Sequence, residues 1–261
     1  MDPDQFEMGG YALRSRLLIG TGKFRDKSFV REAVEASNAA MVTVAVRRID
    51  PGSKEENILE HIPGGCILVP NTSGARNAGE AIRIARISRA AGCGEWVKIE
   101  VIPDNKHLLP DNLETLKAVD ALAKEGFKVL PYMSPDLAMG RRMAEAGAVA
   151  VMPLGAPIGT NRGFRTEELV RIMVREIKVP VIVDAGLGRP SDAAKCMEIG
   201  CAAVLVNTAI AAAEDHVKMA GAFAMAVAAG RACFLSGPGE LREQAEASSP
   251  LTGFLRGQDD V

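Results

Sequence analysis

Trp96-Val97-Lys98-Ile99-Glu100-Val101-Ile102-Pro103-Asp104 is the stretch on which the fold turns. Its Val and Ile content and its Pro-Asp stop predict a buried strand. Side chains alternate along a strand, so Lys98 and Glu100 share one face and Val97, Ile99 and Val101 share the other. Charges inside such a strand are costly unless paired or set against a wet cleft. Two readings stand at this point. One is an ion pair on an exposed strand face. The other is a reactive amine beside a carboxylate in a pocket.

Outward from this strand the chain alternates between short Val/Ile/Leu runs and helical periodicity. Upstream, strands are expected at 17–20, 41–46 and 66–70, with helices at 28–36 and 77–91. The last helix sets apolar residues at 78, 81, 82 and 85 against Arg83, Arg86 and Arg89. Downstream, strands are expected at 127–132, 149–154, 179–184 and 202–206. Helices are expected at about 110–126, 136–146, 166–177, 191–200 and 215–234. Thr166, followed by Glu167 and Glu168, reads as the N-cap of its helix.

Eight strands, each followed by a helix, predict an α/β fold of the (β/α)8 TIM-barrel class with a parallel eight-stranded barrel. A doubly wound open sheet is the alternative. It would concentrate its glycines after the first strand, whereas here they recur after many, and Gly20-x-Gly22 lacks the third glycine of a dinucleotide fingerprint. One domain over residues 1–261 is expected, with a tail from about Gly237.

The 31 basic and 33 acidic side chains nearly cancel, which gives no electrostatic reason to expect nucleic acid or an anionic membrane as partner. No apolar run reads as a membrane span, and the acidic start Met1-Asp2-Pro3-Asp4 does not resemble a signal peptide. A cytoplasmic protein is expected. Cys66, Cys93, Cys196, Cys201 and Cys233 are odd in number and scattered, as in a reducing compartment. His61, His107 and His216 lack ligand spacing, so neither a metal site nor a cofactor is expected.

A barrel carries its chemistry at the C-terminal ends of its strands. Lys23, Arg47, Asn71, Lys98, Glu100, Asp184, Asn207 and Thr208 fall there. By strand parity Arg47, Lys98, Glu100 and Asp184 can all point into the mouth, although a buried charge network filling the core would use the same residues. Three loops add a phosphate signal: 155–163, 184–188 and 207–209, whose backbone N–H groups suit phosphate oxygens. A lysine beside a phosphate cradle points to imine chemistry on a phosphorylated sugar. Lys98 would attack as the free amine, with its pKa lowered toward neutrality by burial, and Glu100 and Asp184 would move protons.

These motifs, in this order, resemble the thiazole synthase family, bacterial enzymes that build the thiazole phosphate of thiamine. The resemblance runs from Arg16-Leu17-Leu18-Ile19-Gly20-Thr21-Gly22-Lys23-Phe24 to Ala247-Ser248-Ser249-Pro250. Its most specific pieces are Val44-Ala45-Val46-Arg47-Arg48, Pro70-Asn71-Thr72, Val97-Lys98-Ile99-Glu100-Val101, Val181-Ile182-Val183-Asp184-Ala185-Gly186 and Val206-Asn207-Thr208-Ala209. The resemblance implies a sulfur-transferring enzyme acting on 1-deoxy-D-xylulose 5-phosphate, with Lys98 as imine-forming lysine and Glu100 and Asp184 as acid/base groups. Gly159, Ala185, Gly186, Asn207 and Thr208 match its sugar-phosphate positions. It further implies a ubiquitin-like sulfur carrier protein bearing a thiocarboxylate, a separate dehydroglycine-producing enzyme, and a homo-oligomer, specifically a tetramer. After Gly159 the family's usual Ser-Gly-x-Gly run is replaced by Thr160-Asn161-Arg162-Gly163. Other readings of the residues are an aldolase or pyridoxal phosphate synthase-like barrel, or a non-catalytic sugar-phosphate-binding protein.

Overall fold

The computed structural model describes residues 4–46, 58–246 and 248. Eight parallel strands form the barrel: β3 (Leu17–Gly20), β4 (Met41–Ala45), β5 (Ile67–Asn71), β6 (Trp96–Ile99), β7 (Lys128–Met133), β8 (Met152–Pro153), β9 (Ile182–Asp184) and β10 (Ala203–Val206). Their sheet order is β8-β7-β6-β5-β4-β3-β10-β9. Parallel bridges Val151 to Val181 and Leu154 to Asp184 join the two ends of that order and close the ring. The strands read as nearly continuous apolar runs because both faces are covered. Outward side chains such as Val42, Val97, Ile99, Val183 and Val204 pack beneath the helices, while Leu18, Met41, Leu130, Met152 and Ile182 fill the interior.

The helices are α1 (Ser28–Ser37), α2 (Ala78–Ala90), α3 (Asn112–Lys124), α4 (Leu137–Glu145), α5 (Glu167–Glu176), α6 (Pro190–Glu198), the short α7 (Thr208–Ala211) and α8 (His216–Ser236). Several start where a side chain accepts the first orphan amides: Asn77 from Glu80, Asp111 from Leu113 and Glu114, Asp136 from Met139, Asp215 from Lys218. The expected Thr166 cap does not form. Its hydroxyl donates to the Leu154 carbonyl at 2.6 Å, tying the start of α5 to the end of β8.

Two features depart from the sequence reading. β1 (Phe6–Met8) and β2 (Tyr11–Leu13) form an antiparallel hairpin, turned at Gly9-Gly10, that the strand count missed. Phe6, Met8 and Leu13 insert into the same apolar cluster as Trp96 and Leu130, sealing the end of the barrel opposite the strand C-termini. The missed signal was a Gly-Gly turn between two short alternating runs. Secondly, α8 is apolar and long enough to cross a bilayer by length and composition, contrary to the expectation that no segment would be. In the fold it packs against α1 and α6, with Ala220, Phe223, Val227 and Gly230 buried.

Candidate active site

The cavity at the strand C-termini has a volume of about 290 Å³. Lys98 lies in its floor. Its Nζ is 2.5 Å from Glu100 Oε1 and 2.7 Å from Asp184 Oδ2, and all three residues are buried. Strand parity brings Lys98 and Glu100 to one face of β6 and its extension. Ring closure supplies Asp184 from β9, three strands further on. One ammonium between two carboxylates leaves a formal negative charge in the group.

This surrounding reverses one expectation. Burial by itself would lower the pKa of Lys98, but the Asp184 and Glu100 carboxylates outweigh it and hold the amine above the ordinary lysine value. Lys98 at rest is an ammonium. Asp184 moves the other way from a normal carboxylate: burial pushes it up, against the pull of Lys98 and of a hydrogen bond from the Ala185 N–H. The carboxylate with raised proton affinity therefore sits 2.7 Å from the Lys98 ammonium.

Two residues at this floor were not singled out from the sequence. Tyr132, inward-facing on β7, lies with its ring centroid 5.1 Å from Lys98 Nζ. It is fully buried, and among the described residues its hydroxyl has no hydrogen-bond partner. Burial, reinforced by Asp184 and Glu100, keeps the phenol protonated. Thr72 fixes Glu100: its hydroxyl donates to the Glu100 carbonyl at 2.9 Å and accepts from the Glu100 N–H at 2.8 Å. The Pro70-Asn71-Thr72 motif contained this signal. A buried Thr at the end of a strand next to the Lys98 strand is placed to satisfy peptide groups where the regular ladder stops.

The predicted phosphate loops meet at one side of the mouth, where Gly159, Ala185, Gly186, Asn207 and Thr208 all line the cavity. Ala185 holds φ +70°, a left-handed conformation that costs a residue with a Cβ about 1–3 kcal/mol. Gly186 follows at φ +79°, and a Cβ there would fall 2.4 Å from the Ala156 amide nitrogen. The loop after β8 stitches this turn in place: Gly155 donates to the Asp184 carbonyl (3.2 Å), Ala156 to Ala185 (3.3 Å) and Gly163 to Gly186 (2.8 Å). The departure at 160–163 is accommodated within it. Asn161 takes φ +50°, which Asn tolerates better than most residues.

The Asn207 side chain, besides lining the cavity, holds a neighbouring turn. With its amide nitrogen turned toward the turn after β3, it donates to the carbonyls of Gly20 (3.0 Å) and Gly22 (2.6 Å). A Cβ on either glycine would lie 2.7 Å from Asn207 side-chain atoms. Gly20-x-Gly22 is thus the seat of a clasp made by the Asn207 amide nitrogen. Asn71 and Lys23 also line the cavity. Arg47 lies outside the described residues.

A family model described as "Thiazole biosynthesis protein ThiG" matches residues 7–250. A protein of Pelotomaculum thermopropionicum named thiazole synthase is 67% identical over 253 residues, covering 97% of this chain and 99% of that one. One of Acetivibrio thermocellus with the same name is 63% identical, covering 97% and 99%. Among solved structures, the Amycolatopsis orientalis BexX/CysO complex contains a chain 31% identical to this one, with TM-score 0.81 and coverage of 93% and 99%.

Proposed function

Because the chain belongs to the ThiG family of thiazole synthases, enzymes of thiamine thiazole biosynthesis, we propose that Lys98 forms an imine with the ketone of 1-deoxy-D-xylulose 5-phosphate while the loops after β8, β9 and β10 hold its phosphate. The observation that carries this reading is the Lys98 ammonium held between two buried carboxylates in the floor of a cavity rimmed by those loops.

The Lys98 ammonium first passes a proton to Asp184, exchanging a buried ion pair for two neutral groups. The free amine adds to the ketone carbon, and the resulting carbinolamine settles by moving a proton from nitrogen to oxygen. Asp184 then returns its proton to that hydroxyl, which leaves as water. The sum is ammonium plus ketone giving iminium plus water, with both carboxylates charged again. Glu100 removes the proton from the neighbouring carbon, and reprotonation at the former ketone carbon shifts the ketone one position along the sugar. The Tyr132 ring faces the cation throughout. Sulfur then arrives from the thiocarboxylate of a ubiquitin-like carrier protein, whose C-terminus leaves as a carboxylate carrying the displaced ketone oxygen. Dehydroglycine from a separate enzyme closes the thiazole ring as its nitrogen replaces Lys98, which leaves as the amine. The second chain in the BexX/CysO complex supports a protein partner of this kind. The enzyme works in the cytoplasm as a homotetramer of single-domain chains. Exposed Met225 and Leu235 on α8 support the burial of part of that helix between copies.

Borohydride reduction in the presence of 1-deoxy-D-xylulose 5-phosphate tests the imine. A reduced adduct on the peptide containing Lys98 is expected. No adduct, or an adduct on Lys23, would overturn the assignment. Product formation that depends on both carrier thiocarboxylate and dehydroglycine separates thiazole synthesis from an aldolase sharing the same intermediate.

A further inference from the structure

Lys23 follows the clasped Gly20-x-Gly22 turn and has φ +66°, an uncommon left-handed conformation for a residue with a long side chain. Its backbone is fixed from two sides. Asn207 holds the carbonyls of Gly20 and Gly22. Thr21 donates to the Thr43 carbonyl through its N–H at 3.1 Å and its hydroxyl at 2.9 Å. The side chain reaches the loop after β8, where Nζ rests against Gly159. A Cβ on Gly159 would lie 2.6 Å from that nitrogen and 3.9 Å from Thr208 Oγ1.

The charge balance of the mouth gives this placement its meaning. Among the described residues lining the cavity, the charged side chains are Lys23, Lys98, Glu100 and Asp184. Lys98 is committed to the two carboxylates. A phosphate entering beside a group of net negative charge meets repulsion unless a second cation receives it. Lys23 is the remaining cation, and among the described residues it has no carboxylate partner.

We propose that Lys23 is the cation that receives the substrate's phosphate group, and that Asn207 is the positioning residue that aims it, by clasping Gly20 and Gly22. The inference rests on the reading of this mouth as a sugar-phosphate site. It assigns the charge-bearing half of that site to a loop remote in sequence from the phosphate turns. An ammonium acts on phosphate as a point charge, so an arginine of similar reach retains most of the effect and a neutral glutamine does not.

The test measures inorganic phosphate binding by calorimetry alongside borohydride trapping with 1-deoxy-D-xylulose 5-phosphate. Lys23→Gln is expected to weaken phosphate binding about 10- to 100-fold, the range for one hydrogen bond to a charged group, with Lys23→Arg recovering most of it. Trapping at sub-saturating sugar phosphate is expected to fall in parallel with phosphate affinity and to recover as the sugar phosphate is raised, because the cation governs occupancy. Equal phosphate affinity in wild type and Lys23→Gln overturns the proposal, whatever trapping shows. If phosphate discriminates between them but no Lys98 adduct forms in the wild type, the imine reading falls and the Lys23 assignment stands. For the clasp, Asn207→Asp is expected to weaken phosphate binding too, and to add little when combined with Lys23→Gln. Full additivity would overturn the positioning role.

Discussion

One face of β6 carries Trp96 at its start and continues through Lys98 to Glu100, so a single strand face runs from one end of the barrel to the other. The two ends are built on opposite principles. Around Trp96 the hairpin brings Phe6, Met8 and Leu13 into a dry apolar cluster, with the Tyr11 ring set edge-on to the indole at 5.7 Å. Around Lys98 the other end of the barrel holds three buried charged side chains, a tyrosine hydroxyl unpartnered among the described residues and a left-handed alanine. Burial at the first end is favourable throughout. At the second end it carries local costs that only the rest of the barrel can offset. Stability and chemistry are therefore separable along one strand face.

The largest effect is expected at Lys98. Lys98→Ala is expected to abolish the adduct that the proposed imine would give with borohydride, and it leaves Glu100 and Asp184 buried without their cation. Breaking a buried ion pair in this way costs about 3–5 kcal/mol at neutral pH. The loss is pH-dependent. The pKa of Asp184 is already raised in the folded state, and removal of Lys98 takes away its main opposing influence. A raised folded-state pKa contributes stability that is full below the unfolded value and is lost as pH rises through the folded one. Urea denaturation is thus expected to show the deficit of Lys98→Ala shrinking as pH falls from 7 toward 4. A deficit independent of pH would mean that the carboxylates are not what the variant leaves exposed to burial.

Asp184→Asn sharpens the division of labour within the mouth. The ammonium keeps Glu100 but loses its acceptor of raised proton affinity. The rate of imine trapping is expected to fall about 10²- to 10⁴-fold, the usual contribution of a positioned acid/base group, with a much smaller change in stability. An unchanged rate would transfer the proton-acceptor role to Glu100. At the sealed end the pattern inverts. Phe6→Ala empties part of the plug and is expected to cost about 3–5 kcal/mol in urea denaturation, while trapping under native conditions stays near wild type. A loss of trapping there would break the comparison by coupling plug and mouth.

Sequence periodicity made the eight strands and their faces legible because inward and outward side chains differ by strand parity. The same parity placed Lys98, Glu100 and Asp184 in one mouth. It carried no information about distance across the ring, so the ion pair between β6 and β9 and the resulting rise in the Lys98 pKa could not be read from it. The sixth and seventh strands came out shorter than expected, Met152–Pro153 and Ile182–Asp184, with Pro153 and Pro180 lacking ladder donors. Asn207 was correctly placed at the mouth, but the partners of its side chain lie nearly two hundred residues away and their glycines resembled a nucleotide motif.

The smallest effect separates the ring of Tyr132 from its hydroxyl. The ring supplies an aromatic face to Lys98 at 5.1 Å, and Phe would keep that face. The hydroxyl is fully buried without a partner among the described residues, a state that costs about 1–3 kcal/mol relative to one in water. Deleting it removes a cost and no bond, so Tyr132→Phe is expected to leave stability unchanged or raise it by about 1 kcal/mol. Trapping should stay within about threefold, since the cation still meets an aromatic ring. A comparable deletion at the sealed end removes packing and can only destabilise. If Tyr132→Phe instead lowers stability, the hydroxyl has a partner in solution and the mouth is less costly at this point than its geometry implies. If stability rises while trapping collapses, the protein keeps an unsatisfied hydroxyl because the reaction gives it a partner, and the contrast between the two ends becomes sharper still.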